Sequence, residues 1–162
     1  MYISYGEMLV SIGEPQNALF YLKEAISIVS QNTLKSSTES QSNSLPSISQ
    51  TAVNITKSWM ALALDKVNKV EEAKAVYEEV MREEGDCNMA LGNFAIFCHR
   101  KLKDFDRAED LFERHISTYP TDSSILLKFA AFMKSGRRNY SRAGDLYEKA
   151  IESDANSETL VR

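Results

Sequence analysis

The chain has 162 residues, 43% of them hydrophobic and 26% charged, with a formal net charge of −4. This is the balance of a soluble globular protein, and mild acidity argues against non-specific binding to nucleic acid or to an anionic membrane as the main task. Two cysteines, Cys87 and Cys98, exclude a disulfide framework and point to a reducing compartment, cytoplasmic or nuclear. The opening MYISYGEMLV lacks a signal-peptide pattern, and no apolar run reaches the roughly 18 residues that span a bilayer.

Residues 1–32 read as a first helical pair. Tyr2, Tyr5, Gly6 and Leu9 share a face, Gly13-Glu14-Pro15 punctuates, and Pro15 suits the first turn of a second helix carrying Ala18, Leu22 and Ala25. Residues 33–45 are serine-rich and almost free of large apolar side chains, so they cannot offset their ordering entropy. A disordered insertion is expected there, serving either as a long loop or as a segment controlled by phosphorylation. A second pair spans 46–85, its long first helix running from Pro46 to about Lys69 with Ile48, Ala52, Ile55, Trp59 and Leu62 on related faces. Pairs three and four occupy 86–121 and 122–156. Residues 157–162 read as the opening turn of a further helix, which suggests part of a longer array or an edge covered by another chain.

The pairs echo one another. Val70-EEAKAVYEEV, Phe105-DRAEDLFERHI and Tyr140-SRAGDLYEKAI align without gaps, each with an alanine three places on (Ala73, Ala108, Ala143) and an aromatic four places later (Tyr77, Phe112, Tyr147). The step between copies is 35 residues both times (108 − 73 and 143 − 108). Positions i and i+4 share one helix face, where alanine admits the paired helix and the aromatic fills the space beside it. Before the last two of these helices stand Leu91, Phe94, Ala95, Cys98 and Leu126, Phe129, Ala130, Met133, both at i, i+3, i+4, i+7 spacing. Each unit is therefore helix A, a short turn and helix B, and neither helix face can be buried without stacking on a neighbour.

These residues resemble the tetratricopeptide repeat. The match reads Tyr5-Gly6, Leu9, Ala18, Leu22, Ala25 in the first unit; Met60-Ala61, Leu64, Ala73, Tyr77 in the second; Phe94-Ala95, Cys98, Ala108, Phe112, Pro120 in the third; and Phe129-Ala130, Met133, Ala143, Tyr147, Ala150 in the fourth. Val80 and His115 stand where the family has its last alanine, and Ala155 where it has proline. The turns at Arg100-KLKDFD and Ser135-GRRNY are one residue longer than the family norm, a feature shared with the half-a-TPR variant of RNA-processing scaffolds. The resemblance implies an all-α fold, a right-handed superhelical solenoid of about four antiparallel helix pairs. It also implies a concave groove lined by the A helices.

Nothing in the sequence carries catalysis. No second cysteine or histidine stands at metal-ligand spacing from His99 or Cys98, nothing basic adjoins Cys87, and the glycines stand singly. His115, in place of a packing alanine, is expected to be partly buried, and Glu71-Glu72, Glu78-Glu79 and Glu83-Glu84 to form a solvated face. No enzyme activity, cofactor or metal is expected.

A surface remains. The A-helix positions left over from the core stripe are Ser58, Trp59, Leu62 and Lys66; Met89, Asn93, Ile96 and Arg100; and Ser124, Leu127, Lys128 and Ala131. Trp59 serves either this wall or the core. Of these, Trp59, Lys66, Asn93, Arg100 and Lys128 are the candidate contacts for a peptide or partner helix, with Asn93 on peptide backbone and the cations on an acidic group. A second cluster, Lys101, Lys103, Arg107, Lys134, Arg137, Arg138 and Arg142, lies at the turns of units three and four. It serves solubility, an acidic partner or RNA. The expected function is a protein-interaction scaffold, with a component of an RNA-processing assembly as the alternative.

Overall fold

The computed structural model describes residues 2–36, 46–84 and 88–159, and among these there are eight α-helices and no strand. They are α1 (Tyr2–Ile12), α2 (Pro15–Ser36), α3 (Pro46–Lys66), α4 (Val70–Glu84), α5 (Asn88–Phe97), α6 (Phe105–Thr118), α7 (Ser123–Phe132) and α8 (Tyr140–Thr159). Single π-helical turns extend α5 over Cys98–Leu102 and α7 over Met133–Arg137. The backbone divides into two compact units, 1–90 and 91–162.

In the first unit α1 packs on α2, α2 on α3 and α3 on α4. Gly6 and Leu9 are buried as the sequence implies, but Tyr5 is exposed, and the side chain of Tyr2 lies outside the described residues. Leu9, Val10, Ala18, Leu22 and Ala63 form the core cluster. The 20-residue excess between Ala18 and Ala73 over one period (73 − 18 − 35) is partly helical, because α2 runs to 22 residues and α3 to 21. Residues 33–36, assigned to the serine-rich insertion, continue α2, whereas 37–45 lie outside the described residues. The buried face of α3 is unexpectedly polar: Asn54, Thr56 and Ser58 are all buried. Thr56 and Ser58 return their hydroxyls to the carbonyls of Ala52 and Asn54, each at 2.7 Å, so a hydroxyl can enter the core already satisfied.

In the second unit α6 packs on α7 and α7 on α8. Phe112 stacks on Phe129 at 5.0 Å and meets Phe132 at 5.6 Å, while Phe105 reaches Phe132 at 6.2 Å. Helix B of one repeat is thus held to helix A of the next by an aromatic layer. Ala108, Leu111 and His115 fill the rest of the buried face of α6, and Ala143, Leu146 and Ala150 repeat it on α8. The last helix runs unbroken to Thr159, so residues 157–159 belong to α8 and start no new element.

The A-to-B turns explain the period. In the first unit the closing bonds run from Glu14 N–H to the Leu9 carbonyl (2.8 Å) and from Lys69 N–H to the Leu64 carbonyl (2.9 Å). In the second they run from Asp104 N–H to Cys98 (3.2 Å) and from Asn139 N–H to Met133 (2.9 Å), one residue further along the chain. The extra residue is absorbed as a π-helical turn. Every turn also passes through a left-handed backbone position: Gly13 (φ 90°), Asn68 (φ 63°), Lys103 (φ 58°) and Arg138 (φ 56°). Asp104 and Asn139 then cap the following helix, accepting from the N–H of Arg107 and Arg142, each at 3.1 Å.

Candidate functional site: the A-helix wall and the basic turns

Gly92 on α5 faces the Ile125 side chain of α7. A methyl group there would fall 2.5 Å from Ile125 Cδ1 and 3.5 Å from His115 Nδ1. With Leu91, Phe94, Ala95, Phe97 and Cys98 buried on α5 and its π-turn, the outward side carries half-buried Met89, Asn93 and Ile96 and exposed Arg100. On α7, Ile125, Leu126, Phe129, Ala130 and Phe132 are buried, leaving Ser124, Leu127, Lys128 and Ala131 exposed at i, i+3, i+4, i+7. The two sets are in register, since Asn93 and Lys128 are 35 apart, as are Ile96 and Ala131. Asn93 and Lys128 therefore hold equivalent positions on successive A helices, while Arg100 lies on the π-helical turn that follows α5.

The first unit differs. Ser58 is fully buried, Trp59 and Leu62 are half-buried against the core cluster, and only Lys66 is exposed. Trp59 thus contributes to packing. Lys57 reaches Glu79 at 2.9 Å, so part of the expected solvated acidic face of α4 is in an ion pair. The side chains of Glu83 and Glu84, and all of Cys87, lie outside the described residues.

The basic turns are largely answered from within. Arg137 donates to Asp106 at 2.5 Å and to Glu109 at 2.6 Å, and Arg142 pairs with Glu113. Asp106 foremost, then Glu109, hold the Arg137 guanidinium above its ordinary pKa. Arg107 lies over the Phe94 ring at 4.8 Å, and Arg142, 35 residues on, over Phe129 at 5.8 Å. Lys103, Lys134 and Arg138 are exposed, and Lys101 is half-buried. What looks like a continuous basic edge in sequence is, for Arg137 and Arg142, the partner of an acidic face on α6.

The two histidines are structural in placement. His115 is fully buried, and its Nε2 lies 3.0 Å from Asp122 Oδ2. Among the described residues its Nδ1 has no hydrogen-bond partner, and it lies on the side of Gly92. Asp122 also caps α7 through Oδ1, which accepts from Ile125 N–H at 3.2 Å. His99 meets the rings of Phe132 (5.0 Å) and Phe105 (5.9 Å), and burial, then the charges of Lys103 and Arg100, hold its pKa below the ordinary 6.5. Among the described residues no cluster of His, Cys, Asp or Glu could hold a metal ion, and no helix is long and apolar enough to cross a membrane.

Among solved structures the chain is similar to one described as "Crystal structure of MamA", with TM-score 0.68, 14% identity, and coverage of 98% of this chain and 79% of that one. A second, "MamA RS-1 ArsTM double mutant", gives TM-score 0.63 at 17% identity over 95% of this chain and 74% of that one. Both are tetratricopeptide-like helical-repeat proteins. This chain has the tetratricopeptide-like helical-repeat fold. No family model matches the sequence, and no curated protein does. At this identity the likeness carries the fold alone.

Proposed function

We propose that the protein is a non-catalytic interaction scaffold, and that α5 and α7 hold a segment of another polypeptide carrying acidic groups. One observation carries this reading. The outward face of α7 sets Leu127 and Ala131 beside Lys128, with Lys128 and Ala131 in register with Asn93 and Ile96 on α5. A purely solvated wall has no use for an exposed leucine beside a half-buried isoleucine and an amide. An extended peptide or short helix uses all three kinds of group: apolar contact, backbone hydrogen bonding and charge pairing. The basic turns offer a poorer surface for RNA, because Arg137 and Arg142 already face carboxylates.

A displayed random-peptide library with free C-termini tests the proposal. Selection on the wild-type chain should enrich acidic sequences whose binding falls at least tenfold in Lys128→Glu and in Asn93→Ala, about 1.4 kcal/mol or more. Selected peptides that bind the Asn93→Ala/Lys128→Glu double variant as well as the wild type would refute the wall. An oligonucleotide of RNA serves as the opposing probe. Binding that collapses between about 50 and 200 mM salt and depends on Lys103, Lys134 and Arg138 would move the function to the basic turns.

A further inference from the structure

A groove of about 410 Å³ runs between α6 and α8, and both of its walls belong to the second unit. That volume lies near the lower end of the roughly 300–1,000 Å³ found for small-molecule sites. Ile116, half-buried on α6, and Leu146, buried on α8, give it an aliphatic floor. Arg142, Asp145, Leu146 and Lys149 recur at i, i+3, i+4 and i+7, so one side of α8 supplies most of the lining.

The charges along this lining are only partly answered within the molecule. Arg142 pairs with Glu113 on α6. Asp145 and Lys149 are both exposed and stand four residues apart, a spacing at which opposite charges on a helix can pair. Among the described residues neither is in an ion pair. One turn of α8 therefore offers the groove a carboxylate from Asp145, an aliphatic surface from Leu146 and an ammonium from Lys149. The β-carbons of residues four apart on a helix are about 5–6 Å from each other, so the two charged groups can both reach substituents of a single carbon atom.

We infer that the groove binds a free α-amino acid with an aliphatic side chain. Its ammonium meets Asp145, its carboxylate meets Lys149, and its side chain lies on Leu146 and Ile116. These are the three kinds of group that such a molecule carries on one carbon atom, and the groove presents the complement of each. A polypeptide meets the same contacts less well, because a chain terminus brings one of the two charges and a chain interior neither. The site shares no residue with the α5–α7 wall and does not depend on what that wall binds.

Proton–nitrogen correlation NMR of the full chain, titrated with L-leucine, tests this. The amide signals of Ile116 and of the first turns of α8 should shift saturably. N-acetyl-leucine, without the ammonium, and leucinamide, without the carboxylate, should each bind about threefold to fivefold more weakly, the effect of one exposed charge pair. Glycine, without the side chain, should leave the same signals in place at the same concentrations. Asp145→Asn should erase the preference for leucine over N-acetyl-leucine, and Lys149→Met the preference over leucinamide. Both positions are exposed, so far-ultraviolet dichroism should stay at its wild-type value. Asp110→Asn, at the equivalent position on α6 and outside the groove, should change none of these affinities. No saturable shift up to the solubility of leucine, equal binding of leucine and its two analogues, or preferences that survive Asp145→Asn and Lys149→Met would each overturn the inference.

Discussion

Replacing Gly6 by alanine asks whether helix propensity or packing decides. On an isolated helix the change is favourable by about 1 kcal/mol, because glycine loses more backbone freedom on folding. In α1 the added methyl would lie 2.6 Å from Leu22 Cδ2 and 2.7 Å from its Cγ. Leu22 is fully buried in the core cluster, and Cγ is its branch point, so rotating the terminal methyls does not relieve the contact. Overpacking of this kind costs about 1–3 kcal/mol, which leaves a net loss of roughly 0–2 kcal/mol. Gly144, in α8, has no atom within 4 Å of the same added methyl. Gly144→Ala should therefore stabilise by about 0.5–1 kcal/mol, and identical chemistry should change stability in opposite directions. The assay is urea denaturation at low protein concentration, following helix content by dichroism and the first unit by Trp59, the one tryptophan, which packs on the Leu22 cluster. Leu22→Ala alone should cost about 2–5 kcal/mol, but on that background Gly6→Ala should be neutral or favourable, because the clash has gone and the methyl fills part of the void. The two changes should thus be coupled by about 1–3 kcal/mol. A Gly6→Ala variant as stable as Gly144→Ala, or strict additivity with Leu22→Ala, would refute the close approach of α1 and α2.

The remaining predictions concern the turns and the histidines. Lys103→Gly and Arg138→Gly should each stabilise by up to about 1 kcal/mol in thermal melts, since both side chains sit in left-handed backbone positions that glycine enters at little steric cost. Asp122→Ala should cost about 2–4 kcal/mol, combining a lost helix cap with a buried His115 Nε2 left unsatisfied, whereas Asp104→Ala, a cap alone, should cost about 1 kcal/mol in the same denaturation series. His99 has a folded-state pKa below 6.5, so protonation favours the unfolded chain. Its contribution is fully present above pH 6.5 and is lost as pH falls from there through the folded-state value. His99→Gln should flatten that slope, and proton NMR should place the His99 midpoint under 6.5, moving only part of the way back in Lys103→Ala because burial is the larger cause.

The architecture was legible because a small–large alternation repeated at a fixed step survives divergence in almost every other residue. Ala73, Ala108 and Ala143 with Tyr77, Phe112 and Tyr147 place four helices B from spacing alone once Ala18 and Leu22 are added. The features that spacing does not reveal obey no period. Ser58 and Thr56 look like surface residues in a string of letters, yet a hydroxyl that closes on its own helix carbonyl enters the core without a partner from elsewhere. Trp59 is ambiguous in sequence because the wall and the core are adjacent stripes on α3, and only its packing on the Leu9–Leu22 cluster separates them. The seven basic residues resemble an edge because the carboxylates that meet two of them, Asp106, Glu109 and Glu113, lie 28 to 31 residues away on the neighbouring helix. A charge run read along the chain does not reveal what faces it across a helix pair.

The surplus residue in each 35-residue step shows how the wall of the second unit is set. Leu64 and Cys98 are equivalent positions in successive A helices, yet their carbonyls are closed by Lys69 and Asp104, at five and six residues respectively. Widening the last turn from α to π leaves the buried stripe before it intact, since Phe94, Ala95 and Cys98 remain in place, and advances only the residues beyond that turn. The extra residue lies within the π-helical turn, Cys98–Leu102 or Met133–Arg137, and the left-handed position that ends every such turn is here a cation, Lys103 or Arg138, followed by the capping residue Asp104 or Asn139. A random insertion would have no reason to recur at the same point with the same backbone. The group that the wider turn positions most directly is Arg137, ion-paired with Asp106 and Glu109 on α6, and beyond it Arg142, paired with Glu113. Shortening each π-helical turn by one residue, with Lys103 and Arg138 kept in their left-handed positions, should leave a folded array, judged by dichroism, in which those ion pairs are broken and the α6–α7 aromatic layer melts earlier.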